Sequence, residues 1–173
     1  MLEVLVTLVI LSIGLLGLSG LQMRLQMSEV EAYQRAQALI LLEDMANRIA
    51  INRSNAANYV TASPLGTNNI CTYNNASTRQ VQDSCQWSGA LKGAGETSSG
   101  SNVGAMVGGR GCVESLGSNE YMVTVAWQGL SPVSAPPSSV ACGANSYDGA
   151  TGSACTSDRC RRVLTTIVTI GTL

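Results

Sequence analysis

The sequence predicts an α+β protein: one long N-terminal α-helix, apolar in its first half and amphipathic in its second, packed on a small antiparallel β-sheet. Three observations carry this. Residues 4–23 contain no charge, and no proline occurs before Pro64. Apolar residues then recur at helical spacing from Ala38 to Ile49. Two β-branched runs, YMVTVAWQ at 121–128 and VLTTIVTI at 163–170, lie in the polar, cysteine-bearing remainder. The divisions expected are an apolar half-helix at 1–22, an amphipathic half-helix at 23–52, and a head domain at 53–173 with a cysteine-rich C-terminal region.

Twenty uncharged residues, 4–23, reach roughly 30 Å as a helix, enough to cross a bilayer. A signal peptide has a basic start and a break after its core. Here neither is present, because the helical pattern runs on. Ala38, Leu41, Leu42, Met45 and Ile49 make one stripe, and Ala32 and Ala36 extend it backwards. Glu29, Glu31, Arg35, Glu43, Asp44 and Arg48 fill much of the remaining surface. The pattern predicts one helix from about Leu2 to about Ile51, whose second half must lie on something.

Two features of the apolar half stand out. Gly14, Gly17 and Gly20 recur every third residue, each at about 1 kcal/mol of helix propensity relative to alanine. They suit close packing against neighbouring helices, or a segment that loosens when it leaves lipid. Glu3 heads the run with no Lys or Arg within a helical turn. A lone carboxylate in an apolar medium is unstable. It is either solvated at a lipid–water boundary or paired with a cation from elsewhere.

After residue 51 the composition turns to Asn, Ser, Thr and Ala, with turn signals at Ser63-Pro64 and Asn74-Asn75. DSCQWSGAL at 83–91 predicts one short helical turn, and the Gly/Ser-rich residues 88–111 predict loop. GGRG at 108–111 lacks the ending of a phosphate loop. In 121–128, Tyr121, Val123, Val125 and Trp127 share one face, and Met122, Thr124, Ala126 and Gln128 the other. Trp127 is expected to pack the sheet on the amphipathic helix. With a shorter strand near 111–114, a sheet of three or four strands is expected. Residues 131–162 form a proline-broken loop holding three cysteines, which crosslinks would restrict. Arg161-Arg162 reads as a solvated strand edge guarded by charge.

Composition narrows the chemistry. The chain has 173 residues, a net charge of −1, no histidine and no phenylalanine. A near-neutral chain has no global field for nucleic acid, and a DNA partner has no support beyond the Arg161-Arg162 doublet. Without His the commonest general base and metal ligand are missing. No serine or cysteine lies in a nucleophile motif, so no catalytic residue, metal or cofactor is assigned, and the chain reads as a non-enzyme. The six cysteines Cys71, Cys85, Cys112, Cys142, Cys155 and Cys160 include no C-x-x-C pair. An even count in a polar exported-type domain reads as disulfides. Six cysteines allow about 15 pairings; the sequential one, Cys71–Cys85, Cys112–Cys142 and Cys155–Cys160, is taken as the expectation.

Four stretches carry a family resemblance: LEVLVTLVILSIGLLGLSGLQ from residue 2, QRAQALILLEDMANRIAINRSNAANY from 34, GGRGCVESLGSNEYMVTVAWQG from 108 and RRVLTTIVTI from 161. Together, at a little under half of the chain, they resemble type IV pilins, the PilV-type minor pilins in particular. The resemblance implies the pilin fold with an exposed, disulfide-bounded C-terminal loop. It implies a subunit stored in the bacterial inner membrane with its head in the periplasm, then drawn into an extracellular filament. Other pilin subunits, the prepilin peptidase and the pilus assembly platform are the implied partners. The implied role is in a complex that primes assembly, supporting adhesion, twitching motility or DNA uptake. Glu3 becomes the subunit-assembly residue, paired with the free α-amino group of a neighbouring subunit. Unit charges about 4 Å apart attract by about 4 kcal/mol at an effective dielectric near 20.

In mature pilins the equivalent glutamate is the fifth residue, and here it is the third. Two residues, Phe then Ser or Thr, are therefore expected before Met1 in the mature protein. A class III signal peptide ending in Gly would precede them, and the new N-terminus would be methylated. Alternative readings are a major pilin, a type II secretion pseudopilin, or a membrane-tethered periplasmic binding module that never polymerises.

Overall fold

The apolar run and the amphipathic stretch form one helix, α1 (Leu2–Ile51), in the computed structural model, which describes residues 2–67, 71–102, 104 and 106–171. The chain divides into two compact units, Met1–Arg35 and Ala36–Leu173.

In the first unit the apolar side chains of α1 are exposed: Leu2, Ile10, Leu16 and Leu21 stand at 78%, 65%, 72% and 61%. Three of its hydroxyls are satisfied within the helix. Thr7 donates to the Val4 carbonyl at 2.9 Å, Ser12 to Leu8 at 2.6 Å and Ser19 to Leu16 at 2.9 Å. Back-bonding of this kind removes the polar penalty that an apolar surrounding would impose.

In the second unit the helix has a core to lie on. Ala38, Leu42, Met45 and Ile49, spaced four, three and four residues apart, are buried at 4% exposure or less. They join Ala56, Tyr59, Trp87, Leu91, Met106, Val113, Tyr121, Val123, Val125 and Trp127 in the main core. Trp127 thus sits where the alternation of its strand puts it.

Past α1 a 3-10 helix, Arg53–Tyr59, leads to α2, Arg79–Leu91. The short helical turn expected at 83–91 is in fact a helix of 13 residues. Thr78 caps it, its hydroxyl accepting from the Val81 N–H at 3.4 Å. The Asn/Ser/Thr-rich residues before Asp83 had masked this start. Within 88–111, expected as loop, two-residue strands β1 (Thr97–Ser98) and β2 (Ser101–Asn102) make a small hairpin.

The main sheet holds β3 (Arg110–Gly117), β4 (Glu120–Gln128) and β5 (Arg161–Thr169), all antiparallel, in the order β3-β4-β5. β3 is longer at both ends than the expected 111–114. It turns into β4 through Ser118 and Asn119, at φ 50° and 62°. Positive φ at both central residues is the twist that a two-residue hairpin favours. Gly111 carries another constraint. A Cβ there would fall 2.2 Å from Cη2 of Trp87, so the strand meets the indole only without a side chain.

Both faces of the sheet are covered. Cys112, Ala126, Cys142 and Tyr147, with Val163 against them, form a second cluster on the face away from α1. Thr124, read as pointing away from the core, is therefore fully buried. The disulfides are Cys71–Cys85, Cys112–Cys142 and Cys155–Cys160, with Cα separations of 5.2, 5.8 and 5.2 Å. The first ties the segment before α2 to that helix. The second fastens the proline-rich loop over the sheet.

The reading of Arg161-Arg162 as a solvated guard needs correction. The Arg161 side chain is 2% exposed, 3.2 Å from Asp158. Its guanidinium donates to the Val140 and Cys142 carbonyls at 2.7 and 3.1 Å. It holds the C-terminal loop down instead of shielding an edge. Arg162 also bends back, donating to the Ser131 carbonyl at 2.7 Å.

Candidate functional site

Two parts of the molecule bear on function: the apolar half of α1, and the polar joint where the helix enters the head.

Glu3 lies in the first turn of α1, exposed. Positions 14, 17 and 20 are also exposed, and a Cβ at any of these glycines would meet nothing within 4 Å. These sites are not gathered by the fold of one chain. They are presented along an unoccupied rod of apolar surface, long and apolar enough to cross a membrane and with none of its spanning window buried in the protein. An exposed apolar surface on this scale requires a lipid or protein cover.

The joint is a buried network centred on Asp83, which is 2% exposed. Tyr59 donates its hydroxyl to Asp83 Oδ2 at 2.6 Å. Arg48 Nη1 donates to Oδ1 at 2.9 Å, and Arg79 Nε at 3.1 Å. Arg48 is shared with Asp44, one turn back on α1, at 3.0 Å, and with Gln86 Oε1 at 2.8 Å. Asn52 donates to the Tyr59 hydroxyl at 3.0 Å. One carboxylate thereby fastens the end of α1, the 3-10 helix and α2. Trp87 adds a second pin, its indole N–H donating to the Leu41 carbonyl at 2.8 Å.

Burial alone lowers the Arg48 pKa, but hydrogen bonds and charge from Asp44 and Asp83 outweigh it and the net shift is upward. Burial, then the bond to Asp83, pushes Tyr59 up to about 12, against a smaller opposing bond from Asn52. Burial also raises Tyr147, whose hydroxyl donates to the Gly108 carbonyl at 2.8 Å under the Arg110 guanidinium. The sign follows from linkage. A phenol with a raised folded pKa contributes stability that is whole below its unfolded pKa near 10 and is lost as pH rises through about 12. From pH 9 to 11.5 the Tyr59 contribution should fall by about 2 kcal/mol. Urea unfolding of wild type and Tyr59→Phe across that range checks this: the variant should show the shallower loss.

Sequence reading missed this joint. The Asp44–Arg48 spacing was legible on α1, but Asp83 lies 35 residues from Arg48 and nothing local marks it as their partner. Among the described residues, no three of His, Cys, Asp and Glu converge on a metal position, and all six cysteines are in disulfides.

The core-bound half of α1 and the Asp83 joint fall within residues 20–88, which match the family model of the Tt1218-like type IV pilins, described as type IV pilin Tt1218. Over this stretch the chain is similar to the type IV pilins. Neither a curated protein nor a solved structure matches it. A pilin is a structural subunit that assembles with other pilins into a pilus. The exposed apolar half of α1 fits a membrane-anchored pilin. The matched region is the part of the chain that joins α1 to its head through Trp87 and Asp83.

Proposed function

We propose that this chain is a pilin, a minor, PilV-type subunit of a type IV pilus. It waits in the inner membrane with its head in the periplasm, and it enters the filament by exchanging lipid for neighbouring helices along residues 2–22. One observation carries the reading: α1 is wholly exposed and apolar over its first turns, yet continues unbroken into the core of a crosslinked head. A helix that only anchors has no need of an acid at its start. Glu3 gives the apolar rod a charge that is relieved only when a neighbour brings an amine into register. In this reading Gly14, Gly17 and Gly20 let adjacent helices approach closely, and the head primes assembly without becoming the bulk of the fibre.

The test is incorporation. In a strain that makes pili, Glu3→Ala should leave the membrane pool of the protein unchanged. It should cut the amount in sheared filaments roughly tenfold or more, as loss of about 1.4 kcal/mol or more in docking predicts. Quantitative mass spectrometry of the same filaments should find the wild-type chain at a small fraction of the main subunit. Normal incorporation of the alanine variant would sink the assembly role of Glu3, and a chain as abundant as the main subunit would make it a major pilin.

A further inference from the structure

We propose that the outer edge of β5, with the groove between it and α1, is a docking site for an extended segment of another protein. The segment adds a fourth strand to the main sheet and carries a lysine or arginine to meet Glu43.

The hydrogen-bond phase of β5 is set at both ends. The Gly129 N–H donates to the Cys160 carbonyl at 2.8 Å and the Ile170 N–H to Asn119 at 2.9 Å. With the unbroken register from Glu120↔Thr169 to Gln128↔Arg161, even-numbered residues of β5 bond to β4. The N–H and C=O groups of Val163, Thr165, Ile167 and Thr169 therefore point outward. Among the described residues they have no backbone partner.

The opposite edge of the sheet is closed. Thr61 donates to the Val113 carbonyl at 2.9 Å, and Leu65 and Gly111 exchange bonds at 2.8 and 3.0 Å. Exposed edges are ordinarily blunted by charge, proline or a bulge. Residues 163–170 hold none of these, and Arg161 is turned into the protein.

The helix side of the edge matches. Leu39, Leu42, Glu43, Ala46 and Asn47 of α1 line a groove with Thr165 and Thr166. Leu39 stays 43% exposed. Leu164, Val168 and Ile170 reach the core but are only partly buried, whereas Val123 and Val125 on the central strand are fully covered. The sheet is one strand too narrow for its helix. An added strand would satisfy four outward N–H donors or their carbonyls and lay alternate side chains on Leu39 and Ala46. Among the described residues that line the groove, Glu43 alone is charged, and charge complementarity selects a basic residue in the incoming segment. Antiparallel pairing with β5 of a second copy would instead bring two Glu43 carboxylates toward one groove.

The probe is a capped hexapeptide, TVKVTV, added to the full chain in detergent micelles. Saturating peptide should slow amide exchange at Val163, Thr165, Ile167 and Thr169 by roughly tenfold or more. Ile167→Pro deletes an outward donor that the head's own sheet does not use. It should weaken binding about tenfold with the thermal midpoint unchanged. Thr166→Lys, on the α1 face of β5 and in the groove lining, sets a cation beside the peptide lysine and should do the same. Glu43→Gln should weaken TVKVTV but not the same peptide with valine in place of lysine. Absence of protection at millimolar peptide, or equal affinity for wild type and both strand variants, overturns the proposal. So does protection of the same amides in a peptide-free dimer, which would assign the edge to a second copy.

Discussion

Trp87→Ala is expected to destabilise the head by about 3–5 kcal/mol, the largest effect of any single truncation in this chain. The indole is fully buried. It fills the space that Gly111 leaves open on β3 and packs in the core with α1. Its N–H is bonded to the Leu41 carbonyl, in the middle of α1. Alanine would leave a cavity at the meeting point of two helices and a strand, and would free a buried carbonyl from its second donor. Trp87→Phe should cost less, about 1–2 kcal/mol, because most of the ring volume remains and chiefly the hydrogen bond is lost. Urea unfolding followed by circular dichroism, with the disulfides intact, measures both. A loss below about 1 kcal/mol for the alanine variant would mean that the core closes around the gap and that Gly111 is not held by the indole.

Asp83→Ala should follow closely, at about 3–5 kcal/mol. A buried carboxylate receiving a tyrosine hydroxyl and two guanidinium groups cannot be removed without stranding its donors. Arg48 would keep Asp44, but Tyr59, 1% exposed, would keep only its bond from Asn52. Exposed ion pairs contribute little. The prediction therefore rests on the burial of Asp83 and Tyr59, not on the count of salt bridges, since Arg79 is 69% exposed. Asp83→Asn keeps the shape and loses the charge, and should fall between wild type and alanine. Amide exchange gives the site of the damage. In Asp83→Ala the last turns of α1, around Arg48 to Ile51, should open before the sheet does, because the joint and not the core is what has been cut. Uniform opening of helix and sheet together would argue that the network is merely one part of a single cooperative core.

For the pilin reading these two positions matter in the same way. The apolar half of α1 can act as a filament element only if the head travels with it. The head is held to the second half of the helix by an apolar stripe, one indole and one carboxylate. A variant weakened at Trp87 or Asp83 is expected to lose stability while its residues 2–22, including Glu3, remain as they are.

The sequence by itself determined whatever depends on near neighbours. Residues 4–23 had to form an all-round apolar segment, and the spacing of Ala38, Leu42, Met45 and Ile49 chose the buried face of α1, because side-chain direction in a helix repeats locally. Alternation in the same way placed Val123, Val125 and Trp127 on the core. The tertiary structure alone decided what joins distant segments. Asp83 meets Arg48 and Tyr59 across 35 and 24 residues, and Cys142 brings a proline-rich loop over the second face of the sheet. Arg161, charged and next to another arginine, looked like surface until carbonyls from that loop enclosed it. Its burial also leaves the edge of β5 open. A residue's own chemistry says what partner it needs. Where the chain crosses itself decides whether that partner is water, another segment, or another molecule.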